Sequence, residues 1–500
     1  MFQMKKRRRF WISLAALMFL IALGRPVFHL IRVVWDDRDQ LEKPGVGYVD
    51  DVSRMNKTKV AEVWEIPSDD QAAVEQLKDL LKKAEADGLR VSVAGARHSM
   101  GGHTIYPGGI TIHMLPFKKM DLDKKRAILR VQAGALWSDV IPFLDKRGLS
   151  IQVMQSNNAF SVGGSLSVNC HGWQYGRPAI ASTVDSFRLL KADGTIVRCS
   201  RLENQELFAL TLGGYGLFGI ILDADIRVVA NERLRAEQHF VPIDGSLQTF
   251  ERKILEKPGV GMVFARLNTN PEKFLQEVVI TMFYPDGGGV IPALEPPGSL
   301  ALPRAVFRGS AGSDYGKKLR WEAETKLQPL LVGKVFSRNQ LLNHGVEWYL
   351  NRSAESTDIL HEYFLPRSKA GSFLAEMRSL IPRHGGDLLN VTVRDVNTDD
   401  ETFLRYADQP MIAFVLFFNQ SRSVAADSRM EIMTQALIES AIQHGGRYYL
   451  PYRLHATWSQ FHRAYPQGRA FFERKRLHDP RELFQNQFYI KYGLNPKASR

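Results

Sequence analysis

Residues Val91 to His103 read VSVAGARHSMGGH, and the change of texture inside this stretch decides the fold. From Arg90 to Ala94 the side chains alternate and are β-branched, the signature of a strand. The strand then gives way to small residues: Ala94, Gly95 and Ala96, then Gly101 and Gly102. Small residues let a backbone come close to a ligand, and successive amide N–H groups can cradle an anion such as a pyrophosphate. His98 sits in the middle of that loop. Taken alone, a histidine in such a loop is more often a hydrogen-bonding turn residue than a reactive one.

Working outward, the segment before the strand predicts a helix. Ser68 or Asp69 can cap it, Val74, Leu77, Leu80, Leu81 and Ala84 recur at helical spacing, and Gly88 ends it. Further strands fit Ile110 to Met114 and Ala127 to Ala133. Phe187 to Ala192 and Thr195 to Ser200 flank Asp193-Gly194, a hairpin signal. This mixture predicts an α+β domain over 58–232. From Arg233 the glycine-rich loops stop. Longer amphipathic pieces appear, such as Ala370 to Ile381 and Asp427 to Gln443, and Pro285 to Pro303 reads as a loop. A second lobe is expected over 233–444 and a basic, aromatic C-terminal segment over 445–500. Residues 36–57 read as a linker, most polar from Gln40 to Lys57.

The chain of 500 residues, 44% apolar and 24% charged, is long enough for two lobes. Its net charge is +13, with five of those charges at Lys5, Lys6, Arg7, Arg8 and Arg9. A basic surface suits an anionic substrate or an anionic membrane. It does not suit nucleic acid, since no basic patch carries interleaved aromatics. Cys170 and Cys199, the two cysteines, supply neither a metal spacing nor a disulfide framework. Behind the basic cluster, Phe10 to Leu23 is an apolar run, with Val27 to Trp35 apolar again after Arg25 and Pro26. Two readings of residues 1–35 stay open. One is a single-pass N-terminal anchor that leaves the catalytic part outside the cytoplasm; the other is a signal peptide cleaved near Ala22 and Gly24.

Three further blocks make the loop specific. Phe160 to Gly176 reads FSVGGSLSVNCHGWQYG. Gly214 to Gly219 fits G-x-G-x-x-G, but Gln205 to Leu212 before it looks helical and Ile220 to Val229 after it looks like a strand. A dinucleotide fingerprint needs the opposite order, so a nicotinamide site is rejected. The tail carries Tyr465-Pro466, Phe471, Lys475, Asp479-Pro480 and Phe484. Together with AGARHSMGGHTIYPGGITI, these blocks resemble the vanillyl-alcohol-oxidase and p-cresol-methylhydroxylase type of FAD proteins. That family includes cytokinin dehydrogenase, alditol and aldonolactone oxidases and decaprenylphosphoryl-ribose oxidase.

The resemblance implies a two-part FAD-binding domain, an α+β substrate (cap) domain, and a C-terminal segment that returns to the FAD domain. It implies FAD contacts from Ala94, Gly95, Ala96, Arg97, His98, Ser99 and His103, with a covalent flavin bond at His98. From the second block it implies Ser161, Gly163, Gly164, Ser167, Asn169, His171 and Gly172, and from the third Ile220. Arg394 resembles the arginine of the alditol oxidase substrate wall, Arg453 and His455 lie where relatives place a lysine or histidine beside the flavin, and all three are the expected catalytic residues. The alditol-type His-Trp-Gly-Lys does not occur, which counts against a plain polyol or sugar-lactone substrate. Oxidation of a small alcohol, sugar or amine by hydride transfer to flavin N5 is the leading reading, with oxygen or a quinone as electron acceptor. Two alternatives remain: reduction of a carbon–carbon double bond, and a membrane-tethered protein whose His98, His103, His113 and His171 bind metal. The five-residue spacing of His98 and His103 does not suit one helix face.

Overall fold

The computed structural model describes residues 11, 24–296, 298–326 and 332–494. It begins with α1 (residues 24–36), followed by the short antiparallel pair β1 (Tyr48–Val49) and β2 (Thr58–Lys59). Strand β1 falls in the stretch 36–57 expected to be a linker, and β2 just beyond it. Val49 and Val60 bury against Ile105, the Val52 amide donates to the Arg97 carbonyl (3.0 Å), and the Gly102 amide donates to the Asp51 carboxylate (2.9 Å). Polar residues are ordered here by hydrogen bonds to the glycine loop, which leaves no hydrophobic periodicity to read.

The predicted helix forms as α2 (Asp70–Ala86), with Asp69 as its cap: the carboxylate accepts from the Ala72 amide at 3.0 Å. Such a cap stabilises a helix by about 1 kcal/mol. Leu77, Leu80, Leu81 and Ala84 are buried. They cover a parallel three-stranded sheet of β3 (Glu62–Glu65), β4 (Val91–Ala94) and β5 (Ile110–His113), ordered β3-β5-β4. A six-stranded antiparallel sheet follows, built from β6 (Met120–Asp123), β7 (Ile128–Gln132), β8 (Leu149–Ile151), β9 (Val184–Leu190), β10 (Ile196–Ser200) and β11 (Ile220–Ala230). Strand β7 starts one residue later than expected, because Ala127 adopts φ +52°. The β9–β10 hairpin turns through Gly194 at φ +79°, a conformation that favours glycine. Helices α3 (Trp137–Asp145), α4 (Val162–Ser167) and α5 (Gln205–Thr211) complete this half.

From Arg233 onward an eight-stranded antiparallel sheet forms. Its strands are β12 (Arg233–Pro242), β13 (Met262–Leu267), β14 (Glu277–Pro285), β15 (Val335–Ser337), β16 (Ser356–Pro366), β17 (Asp387–Val396), β18 (Met411–Ser421) and β19 (Arg447–Tyr448), in the order β15-β12-β14-β13-β17-β18-β16-β19. Helices α6 (Ser246–Glu256), α7 (Ala301–Arg308), α8 (Asp314–Lys326), α9 (Arg338–Leu342), α10 (Ala370–Arg383) and α11 (Val424–Gln443) surround it. Helix α7 takes up the end of the expected Pro285–Pro303 loop, with Pro303 in its first turn, where the ring is tolerated. On one face of the sheet, Tyr363 packs at a tilt on Phe373 of α10 and His361 meets Thr434 of α11.

The C-terminal segment first adds β19 to this second sheet. It then runs through α12 (Trp458–Ala464) and α13 (Gly468–His478) to α14 (Gln487–Tyr492). There it packs on the first half: the Val91 amide donates to the Leu483 carbonyl (2.8 Å) and the Gln485 amide to the Val91 carbonyl (3.0 Å). One continuous apolar core joins both halves of this α+β fold. No helix among the described residues is long and apolar enough to cross a membrane; the run Phe10 to Leu23, apart from Trp11, lies outside them.

Candidate active site

Strand β4 delivers the chain to a loop that glycine alone can fill. A Cβ on Gly95 would lie 2.0 Å from Ser161 Oγ, and one on Gly163 would lie 2.7 Å from Ala133 Cβ. Ser161 is the hinge of this close approach: its hydroxyl accepts from the Ala96 amide (3.4 Å) and caps α4 through the Gly164 amide (3.3 Å). The two glycine blocks are therefore packed on each other. His98 stacks on Phe160 with centroids 4.2 Å apart, and its Nε2 lies 3.2 Å from the Ala159 carbonyl. Burial pushes its pKa down to about 4, so the ring is neutral. His103 is buried against Phe488 and Tyr215 and is pushed down to about 3 for the same reason.

The facing wall is the second sheet. Side chains two apart on a strand share a face. That rule sends Gln238, Arg266, Phe283, Thr392 and Arg394, Phe417, and Leu360 with Glu362 toward the glycine loops, from six neighbouring strands. Between the two walls lies a cavity of about 720 Å³. The residues between these positions, such as His361 and Tyr363, point to α10 and α11 instead.

Charge enters the cavity from the sheet side. Arg394 donates to Ser156 Oγ (2.9 Å) and to the His171 carbonyl (3.3 Å). His171 Nε2 lies 2.5 Å from a Glu362 carboxylate oxygen, and Tyr452 donates its hydroxyl to the other at 3.1 Å. Both members of the histidine–glutamate pair are buried, with 5% and 2% of the side chain exposed. A lone carboxylate so deep would cost several kcal/mol, so the pair and the tyrosine are what allow it there. Glu362 was not singled out from the sequence. The available signal was a single carboxylate in the apolar half of β16, in phase with Leu360 and Phe364.

Of the residues expected to bind cofactor, Gly95, Ala96, Arg97, His98, Ser99 and His103 line the cavity from the first loop. Ser161, Gly163, Gly164, Ser167 and His171 line it from the second. Four do not. Ala94 is fully buried in β4. Asn169 adopts φ +48° and spans Asp399 and the Ala181 amide. Gly172 packs on the Met154 carbonyl, 2.0 Å from where a Cβ would sit. Ile220 is buried in β11, while its neighbours Gly219 and Ile221 reach the cavity. The G-x-G-x-x-G stretch runs from α5 into β11, the order that excludes a dinucleotide fingerprint.

Of the expected catalytic residues, Arg394 lines the cavity; Arg453 and His455 are placed elsewhere. The chain follows the cavity rim at Tyr449, Pro451 and Tyr452, then turns behind the sheet. Arg453 donates to Asp427 of α11 (2.7 Å) and to Asn56 (2.9 Å). His455 is buried between Thr434 (2.9 Å) and Asp427 (3.4 Å). Burial raises the Asp427 pKa, but His455 and Arg453 outweigh it and hold the carboxyl at about 2. Asp427 engages both side chains, Arg453 by an ion pair and His455, whose pKa burial lowers, beside it, and motif position alone did not show which side of the sheet they would reach.

The loop also suits a large polar ligand. Ser99 Oγ, Thr104 Oγ1 and Arg97 Nε are buried with no hydrogen-bond partner among the described residues. Such groups cost free energy unless something satisfies them. A family model described as an FAD binding domain matches residues 72–200, the stretch that holds both glycine blocks. Residues 72–200 are thus an FAD-binding domain similar to that of FAD-dependent oxidases and dehydrogenases. Its cofactor is FAD.

It is similar to an uncharacterized oxidoreductase of the fasciation locus in Rhodococcoides fascians, 32% identical over 31% of this chain and 36% of the relative. It is similar to the L-gulonolactone oxidase of Mus musculus, 29% identical over 31% of this chain and 36% of the relative. Cytokinin dehydrogenase 2 of Arabidopsis thaliana is 30% identical over 39% of this chain and 39% of the relative. The matches thus span less than two-fifths of these relatives' length. Among the described residues no group of three or more His, Cys, Asp or Glu side chains is arranged to hold a metal ion. His113, part of the metal-binding alternative, pairs instead with Glu65 at 3.2 Å.

Proposed function

We propose that the chain is an FAD-dependent oxidase or dehydrogenase of a small alcohol, sugar or amine. The reading has a two-part FAD-binding domain and takes the eight-stranded sheet as the substrate (cap) domain. The observation that carries it is the large cavity, walled on one side by the glycine loops and on the other by Arg394 and the His171–Glu362 pair. Bound FAD supplies a hydride acceptor at N5.

The protein's own groups have distinct tasks in this scheme. Arg394, fixed by Ser156, presents a cation where negative charge develops. Glu362 against Nε2 of His171 sets the tautomer and leaves Nδ1 to take the substrate's hydroxyl proton. Nδ1 has no partner among the described residues, which supports that role. His98 is the proposed point of covalent attachment; burial keeps its imidazole neutral, the nucleophilic form.

Residues 1–35 are read as a membrane anchor with the catalytic part outside the cytoplasm, because Lys5 to Arg9 precede the apolar run. A cleaved signal peptide is the alternative for this segment.

The decisive experiment is an anaerobic screen of alcohols, sugars and amines that follows flavin bleaching in the purified chain. Bleaching by one of them establishes oxidation. No bleaching, with reoxidation of the reduced flavin by an olefin, would replace the reading with a double-bond reductase. The acceptor then follows from whether oxygen or a soluble quinone restores the colour. Acid precipitation tests the bond at His98: flavin fluorescence should stay with the polypeptide, and should be released from His98→Ala.

A further inference from the structure

Helix α1 has two unlike faces. The inner one, through Pro26, His29, Leu30, Val33 and Asp37, is partly buried. It is fastened to α7 and α8: His29 Nε2 meets the Gly309 carbonyl at 3.0 Å, and Arg25 lies 4.0 Å over the Tyr315 ring. Arg304 grips Asp37 with two hydrogen bonds at 2.5 and 2.7 Å. Gly309 lets the helices close up, since a Cβ there would come within 2.8 Å of His29. The outer face is apolar and open. Phe28 is 70% exposed, Ile31 62% and Trp35 68%, and Leu302 of α7 adds 63% beside them.

We propose that this outer face of α1, continued by Leu302, docks into the headgroup layer of a lipid bilayer. The proposal rests on the anchor reading of the N-terminus and adds a second contact to it. The occupant follows from the sequence that precedes the described part of α1: the apolar run Phe10 to Leu23 leads directly into residue 24, behind the cluster Lys5 to Arg9. That run is short for a spanning helix, which needs about 20 apolar residues. A helix rigidly held on the folded part, with its apolar face outward, suits a position lying in the interface.

Its own charges balance, with Arg25, Arg32 and Arg38 against Asp36, Asp37 and Asp39. Apolar contact rather than charge therefore holds this face. Helix α7 is shared: Ala301, Leu302 and Ala305 border a groove with α1, while Pro303 and Phe307 line the large cavity. Docking would hold the cavity wall about one helix diameter, roughly 10 Å, from the lipid.

The test uses the full chain and phosphatidylcholine vesicles containing a minority of phosphatidylglycerol. Cys170 and Cys199 are both buried, so single cysteines at Phe28, Ile31, Trp35 or Leu302 can carry an environment-sensitive fluorophore. Exposed Leu202 and Val424 serve as controls. Doxyl lipid should quench most of the emission at the four sites, unchanged in high salt, and none at the controls. Flotation with vesicles but no quenching at the four sites would overturn the docking face and leave the anchor standing. Failure to float would overturn both. A blue shift without lipid quenching would mean that a second copy of the chain covers the face, and would also overturn the proposal.

Discussion

The two walls of the cavity are built on opposite principles. The loop wall works through what its residues lack: Gly95 and Gly163 give the backbone room, Gly95 against Ser161 of the second block and Gly163 against Ala133. The sheet wall works through side chains, which period-two alternation aims across the cavity, and it supplies Arg394 and Glu362. The loop side is thus suited to holding one large invariant ligand by backbone, and the sheet side to a variable one by chemistry. Substitutions on the two walls should fail in different ways.

The sharpest contrast is in rate. Arg394→Ala and Glu362→Gln should slow flavin reduction by about 10²–10³-fold while the flavin content stays at the wild-type level. Arg453→Ala and His455→Ala, whose parents face α11, should leave the rate within experimental scatter. Rapid-reaction measurement of flavin bleaching decides the matter, and equal losses in both pairs would erase the distinction between cavity and ion pair.

Next in size is a pH effect behind the loop wall. Burial pushes the Asp51 carboxyl up to about 6, despite hydrogen bonds from Ser53 and Gly102. The native state therefore favours the protonated form. Its stabilising contribution is complete below the ordinary value near 3.8 and is lost as pH rises through about 6. Over that window the loss is about 3 kcal/mol, from a shift of about two units. Asp51→Asn should lack this decline, so denaturation curves of the two proteins taken from pH 4.5 to 7 should diverge. Parallel stability profiles would show that Asp51 does not titrate as described.

Smaller still is the glycine contact itself. Gly95→Ala forces Ser161 aside, which should cost about 1–3 kcal/mol of overpacking. Purified protein should carry less FAD, measured by absorbance per polypeptide, with the bleaching rate of whatever flavin remains little changed. A full complement of FAD would mean that the blocks can separate freely. The least effect is expected behind the sheet: Arg453→Ala leaves the half-buried Asp427 with His455 alone, and thermal unfolding should register roughly 1 kcal/mol.

The sequence by itself determined the loop wall. Glycines at fixed spacing, a capped helix and the Asp193-Gly194 hairpin are local features, governed by backbone sterics and short-range hydrogen bonds that a linear reading can follow. The resemblance pointed to Arg394, which lines the cavity. Tertiary structure alone decided the rest. Whether Arg453 and His455 met flavin or Asp427 depended on which side of an eight-stranded sheet the chain passed after Tyr452. Glu362 and His171 lie 191 residues apart in sequence and join only when β16 crosses the second glycine block. The order of Asp50 to Asn56 comes from hydrogen bonds to the loop around Met100 and Gly102, not from any pattern of its own. Local conformation is set by neighbours along the chain. The pairing of buried charges is set by neighbours across it, and burial makes that pairing obligatory without announcing the partner.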